Sequence, residues 1–282
     1  MAISFGPGGN AASFGKRKFP EALPEYLKSM KLNGYEVECG RGVRIAEKTY
    51  SLLPALAKEH GITVSLHTPY FISLSGTVEE TRLKSVDYIY ESAKAAKALG
   101  AEKIVVHSGS CAKISREEAL ALAKDSLVKA QKRLDEEGLS DIRICPETMG
   151  KINQLGTLDE VIELCGVDER FLPCVDFGHL NARTLGGIKT KADYAEILDR
   201  IENRLGFERL KNFHVHFSKI EYSAGGEKCH LTFEDDKFGP AYEPLMELFA
   251  ERGLEPSVIC ESAGTQAEDA AEMCAYYNKI RG

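Results

Sequence analysis

The sequence predicts an α/β fold, a single (β/α)8 TIM barrel over residues 1–282. Three observations lead there. Short apolar runs alternate with longer stretches of helical period along the whole chain. The runs number eight. Most of them end in a histidine or an acid, and in a barrel the carboxyl ends of the strands share one face, where active sites are built. A doubly wound open sheet would show the same alternation but would gather its ligand at one switch point.

Taken in order, the runs are 2–5, 35–39, 62–67, 103–107, 142–147, 171–176, 212–216 and 257–261. Most are too short for helices and rich in Val, Ile and Phe, so they read as strands. Between them, 78–99 shows Leu83, Val86, Ile89, Tyr90, Ala93, Ala96 and Leu99 three or four apart, one apolar helix face. Capping boxes are expected at Thr77 with Glu80, Ser115 with Glu118, Thr157 with Glu160 and Thr265 with Glu268. Gly61, Gly100 and Gly253 read as helix stops. The longest connection, 219–240, precedes a helix over 242–252, and a loop that long is often functional.

Bulk composition narrows the function. With 36 basic and 43 acidic residues the net charge is −7, so there is no general attraction to nucleic acid or anionic lipid. No apolar stretch reaches the roughly eighteen residues of a membrane span, and no leader pattern opens the chain, so a cytoplasmic protein without a membrane partner is expected. The eight cysteines form no Cys-x-x-Cys pair; Cys39, Cys145, Cys174 and Cys260 sit in or beside the apolar runs and read as buried thiols in a reducing compartment.

The chemistry lies in the strand ends. Of seven histidines, His60 ends a helix before Gly61 and reads as a cation at a helix C-terminus. The others are His67, His107, His179, His214, His216 and His230, joined by Glu147, Asp176 and Glu261. One strand-end histidine is usually a hydrogen-bonded structural residue. Three carboxylates and several imidazoles converging on one mouth would repel or strand one another without cations. Mixed imidazole and carboxylate ligands suit zinc, manganese or iron. Two or three ions would serve phosphoryl transfer. A single ion at Glu147, Asp176, His214 and Glu261 would serve a sugar isomerase or epimerase on the same barrel.

Six stretches then carry a resemblance over essentially the whole chain. They are His67-Thr-Pro-Tyr70-Phe71, Val105-Val-His107-Ser-Gly-Ser110, Pro146-Glu147-Thr-Met-Gly150-Lys151 with Leu155-Gly156, Cys174-Val-Asp176-Phe-Gly-His179, His214-Val-His-Phe-Ser-Lys219, and Glu261. The sequence resembles endonuclease IV, the second family of apurinic/apyrimidinic endonucleases, within the xylose-isomerase-like barrels. The resemblance implies a zinc-dependent deoxyribonuclease of DNA repair that hydrolyses the phosphodiester 5′ to an abasic site. It implies three zinc positions: His67, His107 and Glu147; Glu147, Asp176, His214 and Glu261; and His179 with His230. Glu147 and Glu261 would orient the attacking water. The family's aspartate two residues before the last histidine is replaced here by Lys228, which leaves the count at two or three ions, with Glu227, Cys229, Asp235 and Asp236 as neighbouring substitutes out of register.

Abasic DNA is the expected partner of a monomeric chain. Tyr70 and Phe71 match the family's wedge, which fills the gap left by the missing base; rim packing is the competing role. Lys219 lies in a matching motif and is the best cation for a phosphate. Lys16, Arg17, Lys18, Arg41, Arg44, Lys113, Lys151 and Arg183 also follow strands and could rim the same face.

Overall fold

The computed structural model describes residues 2–111 and 113–282. Eight of its strands form the barrel wall: β1 (Ser4–Pro7), β2 (Gly34–Glu38), β3 (Thr63–His67), β4 (Lys103–Val106), β5 (Arg143–Pro146), β6 (Cys174–Asp176), β7 (His214–Phe217) and β10 (Ser257–Cys260). A hairpin, β8 (Ile220–Ser223) and β9 (Gly226–His230), follows β7. The helices are α1 (Leu23–Ser29), α2 (Glu47–His60), α3 (Glu79–Leu99), α4 (Arg116–Glu136), α5 (Leu158–Cys165), α6 (Phe177–Arg183), α7 (Lys191–Leu205), α8 (Phe207–Lys211), α9 (Glu243–Arg252) and α10 (Gln266–Arg281).

The wall strands pair in parallel as two four-stranded arcs, β6-β7-β10-β1 and β2-β3-β4-β5. Two parallel bridges join the arcs into a ring: Gly8 with Glu36, and Glu147 with Cys174. Backbone bonds support both seams, Gly9 N to Glu36 O at 2.9 Å and Thr148 N to Cys174 O at 3.0 Å. At the first seam the chains nearly touch, and a Cβ on Gly6 would stand 1.8 Å from the Gly34 carbonyl oxygen. The first strand therefore lies two residues later than its apolar run suggests. Gly6 and Pro7 look like a turn in sequence, but here glycine permits close strand approach.

Alternation along each strand sorts the side chains. Val37, Val175, Val215 and Phe217 face the helices and join the main apolar core. Val105, Cys145, Leu172 and Cys174 form a separate small cluster on the other face, inside the ring. The same two-residue step carries β3, β4, β5, β6, β7 and β10 to His67, His107, Glu147, Asp176, His216 and Glu261 at the mouth. In α3 the buried face runs through Val86, Ile89, Ala93, Ala96 and Leu99, whereas Leu83 is exposed in the turn above it.

Of the four expected capping boxes one is complete, Thr157 with Glu160 at α5. At α4 Ser115 accepts the Glu118 amide without the reciprocal bond. Helix α3, however, starts after Val78, so Glu80 falls one place too early to answer Thr77. At α10 the Thr265 hydroxyl is engaged by the Asp269 carboxylate at 3.0 Å and caps no amide. Gly61, Gly100 and Gly253 all stop their helices in the left-handed conformation. The hairpin replaces the expected irregular connection after residue 219. Among the described residues no helix is long and apolar enough to cross a membrane.

Candidate metal centre

Glu147, at the end of β5, is the centre of the mouth. Its Oε2 lies 3.0 Å from His107 Nε2 and 3.4 Å from His67 Nε2. Its Oε1 lies 3.2 Å from His216 Nδ1 and 3.4 Å from His179 Nδ1. Among the overlapping ligand-like groups there, three divide the mouth between them: His67, His107 and Glu147; Glu147, Asp176, His216 and Glu261; and His179, Glu227 and His230. Within each group one donor atom per residue lies within 4.8 Å of all the others.

The groups are oriented by their own backbone. His67 Nδ1 is 2.8 Å from the Thr68 carbonyl, and His179 Nδ1 is 3.0 Å from the Thr148 carbonyl. A carbonyl can only accept, so each Nδ1 carries the proton and each Nε2 can turn a lone pair toward a cation in the mouth. His230 Nδ1 is 2.9 Å from the Ser218 hydroxyl. Asp176 caps α6: its Oδ1 accepts the His179 amide at 2.7 Å, so strand end and helix start together fix the acid and the histidine three residues on.

Burial makes the charges interdependent. Burial opposes ionisation of Glu147, but His107 and the other imidazoles hold its carboxyl well below the usual range. Burial pushes Asp176 up to about 6, against the pull of His179. Burial also works against a charged His67, yet Glu147 and Glu38 raise it to about 10; His179 is held at about 10 by Asp176 and Glu147 against the same penalty. Imidazoles and carboxylates thus face one another in pairs. Even so, Glu147 Oε2 and Asp176 Oδ2 are buried without a hydrogen-bond partner. Buried carboxylate oxygens beside imidazole donors are the environment a divalent cation satisfies, so this donor set fits such ions.

The structure separates the expected residues. His67, His107, Glu147, Asp176, His179, His230 and Glu261 meet at the mouth. His214 does not: it sits two residues below on β7, fully buried, with Nε2 2.9 Å from Glu36 Oε2, while His216 takes the place beside Glu147 and Glu261. The step of two follows from strand alternation, which gives both residues the same face at different depths. At the third group the register gap is filled by Glu227, whose Oε2 is 3.4 Å from His179 Nε2. Lys228 points away to pair with Glu221. Gly150 makes this possible: a Cβ there would stand 2.6 Å from Glu227 Cβ and 2.9 Å from His179 Cδ2.

The rim is mixed. Tyr70 is 59% exposed and Phe71 45% exposed, with Phe71 edge-on to Tyr88. Lys219 does not project outward: its ammonium donates to the Phe233 carbonyl at 2.7 Å and also bonds the Asp235 carbonyl, which pins the loop after β9. Arg183 likewise turns inward, to the carbonyls of Met149, Lys151 and Gln154. Lys16, Arg17, Lys18, Arg41, Lys113 and Lys151 are exposed. Glu36 and Glu38 were not anticipated. Their signal is the alternation Tyr35, Val37, Cys39 against Glu36, Glu38: if the apolar set faces the helices, the acids fall on the barrel side, where Glu36 is buried and Glu38 is exposed at the open end.

The family described as Xylose isomerase-like TIM barrel matches residues 24–279. An uncharacterized protein of Methanocaldococcus jannaschii is 33% identical over 258 residues, 91% of each chain. A probable endonuclease 4 of Mycoplasma pneumoniae is 31% identical over 235 residues, 80% of this chain and 78% of its own. Among solved structures, a D-tagatose 3-epimerase-like protein superposes with a TM-score of 0.71 at 19% identity, over 99% of this chain and 98% of that one. That last likeness is one of fold.

Proposed function

The chain belongs to the xylose isomerase-like TIM barrel family, and from that premise we propose that it is a metal-dependent phosphodiesterase acting on DNA 5′ to abasic sites. The observation that carries the reading is the third group. His179, Glu227 and His230 form a group of their own, and His179 links it to the others through Glu147 at 3.4 Å and Asp176 at 3.2 Å. One ion at Glu147, Asp176, His216 and Glu261 would leave these three residues outside its ligand set.

His67, His107 and Glu147 would hold one ion, Glu147, Asp176, His216 and Glu261 a second, and His179, Glu227 and His230 a third; His216 stands in for the expected His214. Zinc, or manganese or iron in its place, would supply positive charge against the phosphoryl oxygens and acidify water. The chain's own residues do the positioning. Glu147 spans two groups, so its two oxygens fix their separation. Glu261, like Glu227, is a partly exposed carboxylate of the set, whereas Glu147 and Asp176 are buried. Tyr70 and Phe71 stand exposed at the rim, where an aromatic pair can occupy the gap of a missing base and favour an extruded sugar. Water adds to phosphorus and the bond to the preceding 3′ oxygen breaks, leaving a 3′-hydroxyl and a 5′-deoxyribose phosphate.

The second reading is a ketose epimerase using the group Glu147, Asp176, His216 and Glu261 around one ion, since those four atoms alone could hold one. One experiment separates the two. Protein loaded with zinc or manganese is offered an abasic duplex and a panel of ketoses, with metal content measured on the same sample. Two or three ions and duplex incision support the phosphodiesterase; one ion with epimerisation and an intact duplex supports the other reading.

A further inference from the structure

Below the mouth lies a second polar layer, which the proposed chemistry does not use. Glu36, on β2, is fully buried inside the ring. Its Oε1 lies 2.8 Å from His216 Nε2, and its Oε2 lies 2.9 Å from His214 Nε2. The Ser65 hydroxyl donates to Oε2 at 2.6 Å. His214 and His216 are themselves without exposure, and Cys174 is close to both. Both imidazole contacts are off-line, so Glu36 Oε1, His214 Nε2 and His216 Nε2 have no well-aligned hydrogen bond.

His216 therefore spans two layers. Its Nδ1 faces Glu147 Oε1 at 3.2 Å and Glu261 Oε2 at 3.4 Å, and its Nε2 faces Glu36. We propose that Glu36 is the positioning carboxylate of His216, with His214 and Ser65 holding Glu36 in place. This rests on the reading of His216 as a ligand of the second ion. The physical case has two parts. A ligating imidazole must present one nitrogen unprotonated, and an acceptor on the far nitrogen selects that tautomer, raises the basicity of the ligating nitrogen and fixes the ring plane. A buried carboxylate also costs several kcal/mol unless it is matched. Through His216, Glu36 is matched to the cation charge above it. His214 and Ser65 occupy its other oxygen, so the carboxylate cannot rotate away.

A further cation held by Cys174, His214, His216 and Glu36 is the competing role for this layer. The distances disfavour it. Two atoms bound to one tetrahedral zinc with bonds of about 2.0 Å stand about 3.3 Å apart, whereas here nitrogen and oxygen are 2.8 and 2.9 Å apart, closer than two ligands of one such ion.

The test uses the full chain loaded with cobalt or zinc. Affinity for each ion is measured by chelator competition in wild type, Glu36→Gln, Ser65→Ala and His216→Ala, and the melting temperature of each metal-free protein is recorded. Glu36→Gln is expected to weaken one ion of the set 10- to 100-fold and shift its cobalt absorption. Ser65→Ala should weaken the same ion less, and it serves if Glu36→Gln does not fold. In the His216→Ala background, Glu36→Gln should leave the remaining ions unchanged. Unaltered affinities in Glu36→Gln and Ser65→Ala, with only the melting temperatures lowered, would overturn the proposal. So would an additional ion with a sulfur-to-cobalt band that Cys174→Ser removes. Failure of wild type to bind any ion would count against the underlying reading of the mouth instead.

Discussion

Glu227 Oε2 lies 3.4 Å from His179 Nε2, although Glu227 comes from a hairpin and His179 from the start of a helix 48 positions earlier in the chain. That contact supplies an acid where the register of the sequence shows only Lys228. The consequence is specific: Glu227→Gln lowers metal content by one ion per chain and leaves the other positions filled. Lys228→Ala leaves the content unchanged, because Lys228 pairs with Glu221 on the outer side of the hairpin. Elemental analysis after dialysis against a weak chelator reads both.

Gly150 is the companion of that contact. An added methyl would meet Glu227 Cβ at 2.6 Å and His179 Cδ2 at 2.9 Å. Gly150→Ala is expected to push the hairpin away, releasing the same ion as Glu227→Gln. Crowding a packed position also costs about 1–3 kcal/mol, readable by urea denaturation. A variant with normal stability and a full metal complement would show that the hairpin adjusts freely.

Tyr70 and Phe71 are exposed, so replacing them should separate function from stability. Tyr70→Ala and Phe71→Ala are expected to reduce incision of an abasic duplex roughly 5- to 100-fold, the range of about 1–3 kcal/mol of lost base stacking. Unfolding free energies should move by no more than about 0.5 kcal/mol. Lys219→Met should do the reverse: it frees the carbonyls of Phe233 and Asp235, lowers stability, and leaves the salt dependence of DNA binding unaltered.

Glu160 predicts the response to acid. Burial raises its pKa, but the Arg116 guanidinium, at 2.6 and 2.7 Å, and the amides of Gly156 and Thr157, each at 2.8 Å, hold it below the usual carboxylate value. A depressed folded pKa contributes stability above the unfolded value of about 4.3, and that stability is lost as pH falls through the folded value. Glu160→Gln is expected to cost about 1–2 kcal/mol at pH 7, given partial solvent screening of Arg116. The difference from wild type should shrink in denaturation series as pH falls below about 4.3 and vanish only below the depressed folded value.

The barrel was legible because each wall strand is a short apolar run with a polar terminus, a pattern set by burial on both sides and an open end. Residues 171–173 were read as strand because they are apolar; the strand proper is Cys174–Asp176, although the Leu172 amide already bonds the Ile144 carbonyl and the Pro173 carbonyl accepts the His214 amide. The hairpin was hidden because Gly225 and Gly226 dilute its alternation, and Gly226 is needed there for a left-handed turn against the Gly150 carbonyl. Most of the mouth followed from strand ends. His216 was displaced by His214 because alternation puts both on one face and depth along the strand is not written in residue type. Glu227 was out of register because the bend of the hairpin, not sequence spacing, carries it to His179.

The central claim is that this mouth hydrolyses the DNA backbone at abasic sites with bound divalent ions. Incubation of an end-labelled abasic duplex with zinc-loaded protein, before and after chelation, is the most direct measurement. The account predicts a single nick 5′ to the abasic site bearing a 3′-hydroxyl, lost on chelation and in Glu261→Gln, and absent from an intact duplex. A fully loaded protein that leaves the abasic duplex whole while interconverting a ketose would contradict it.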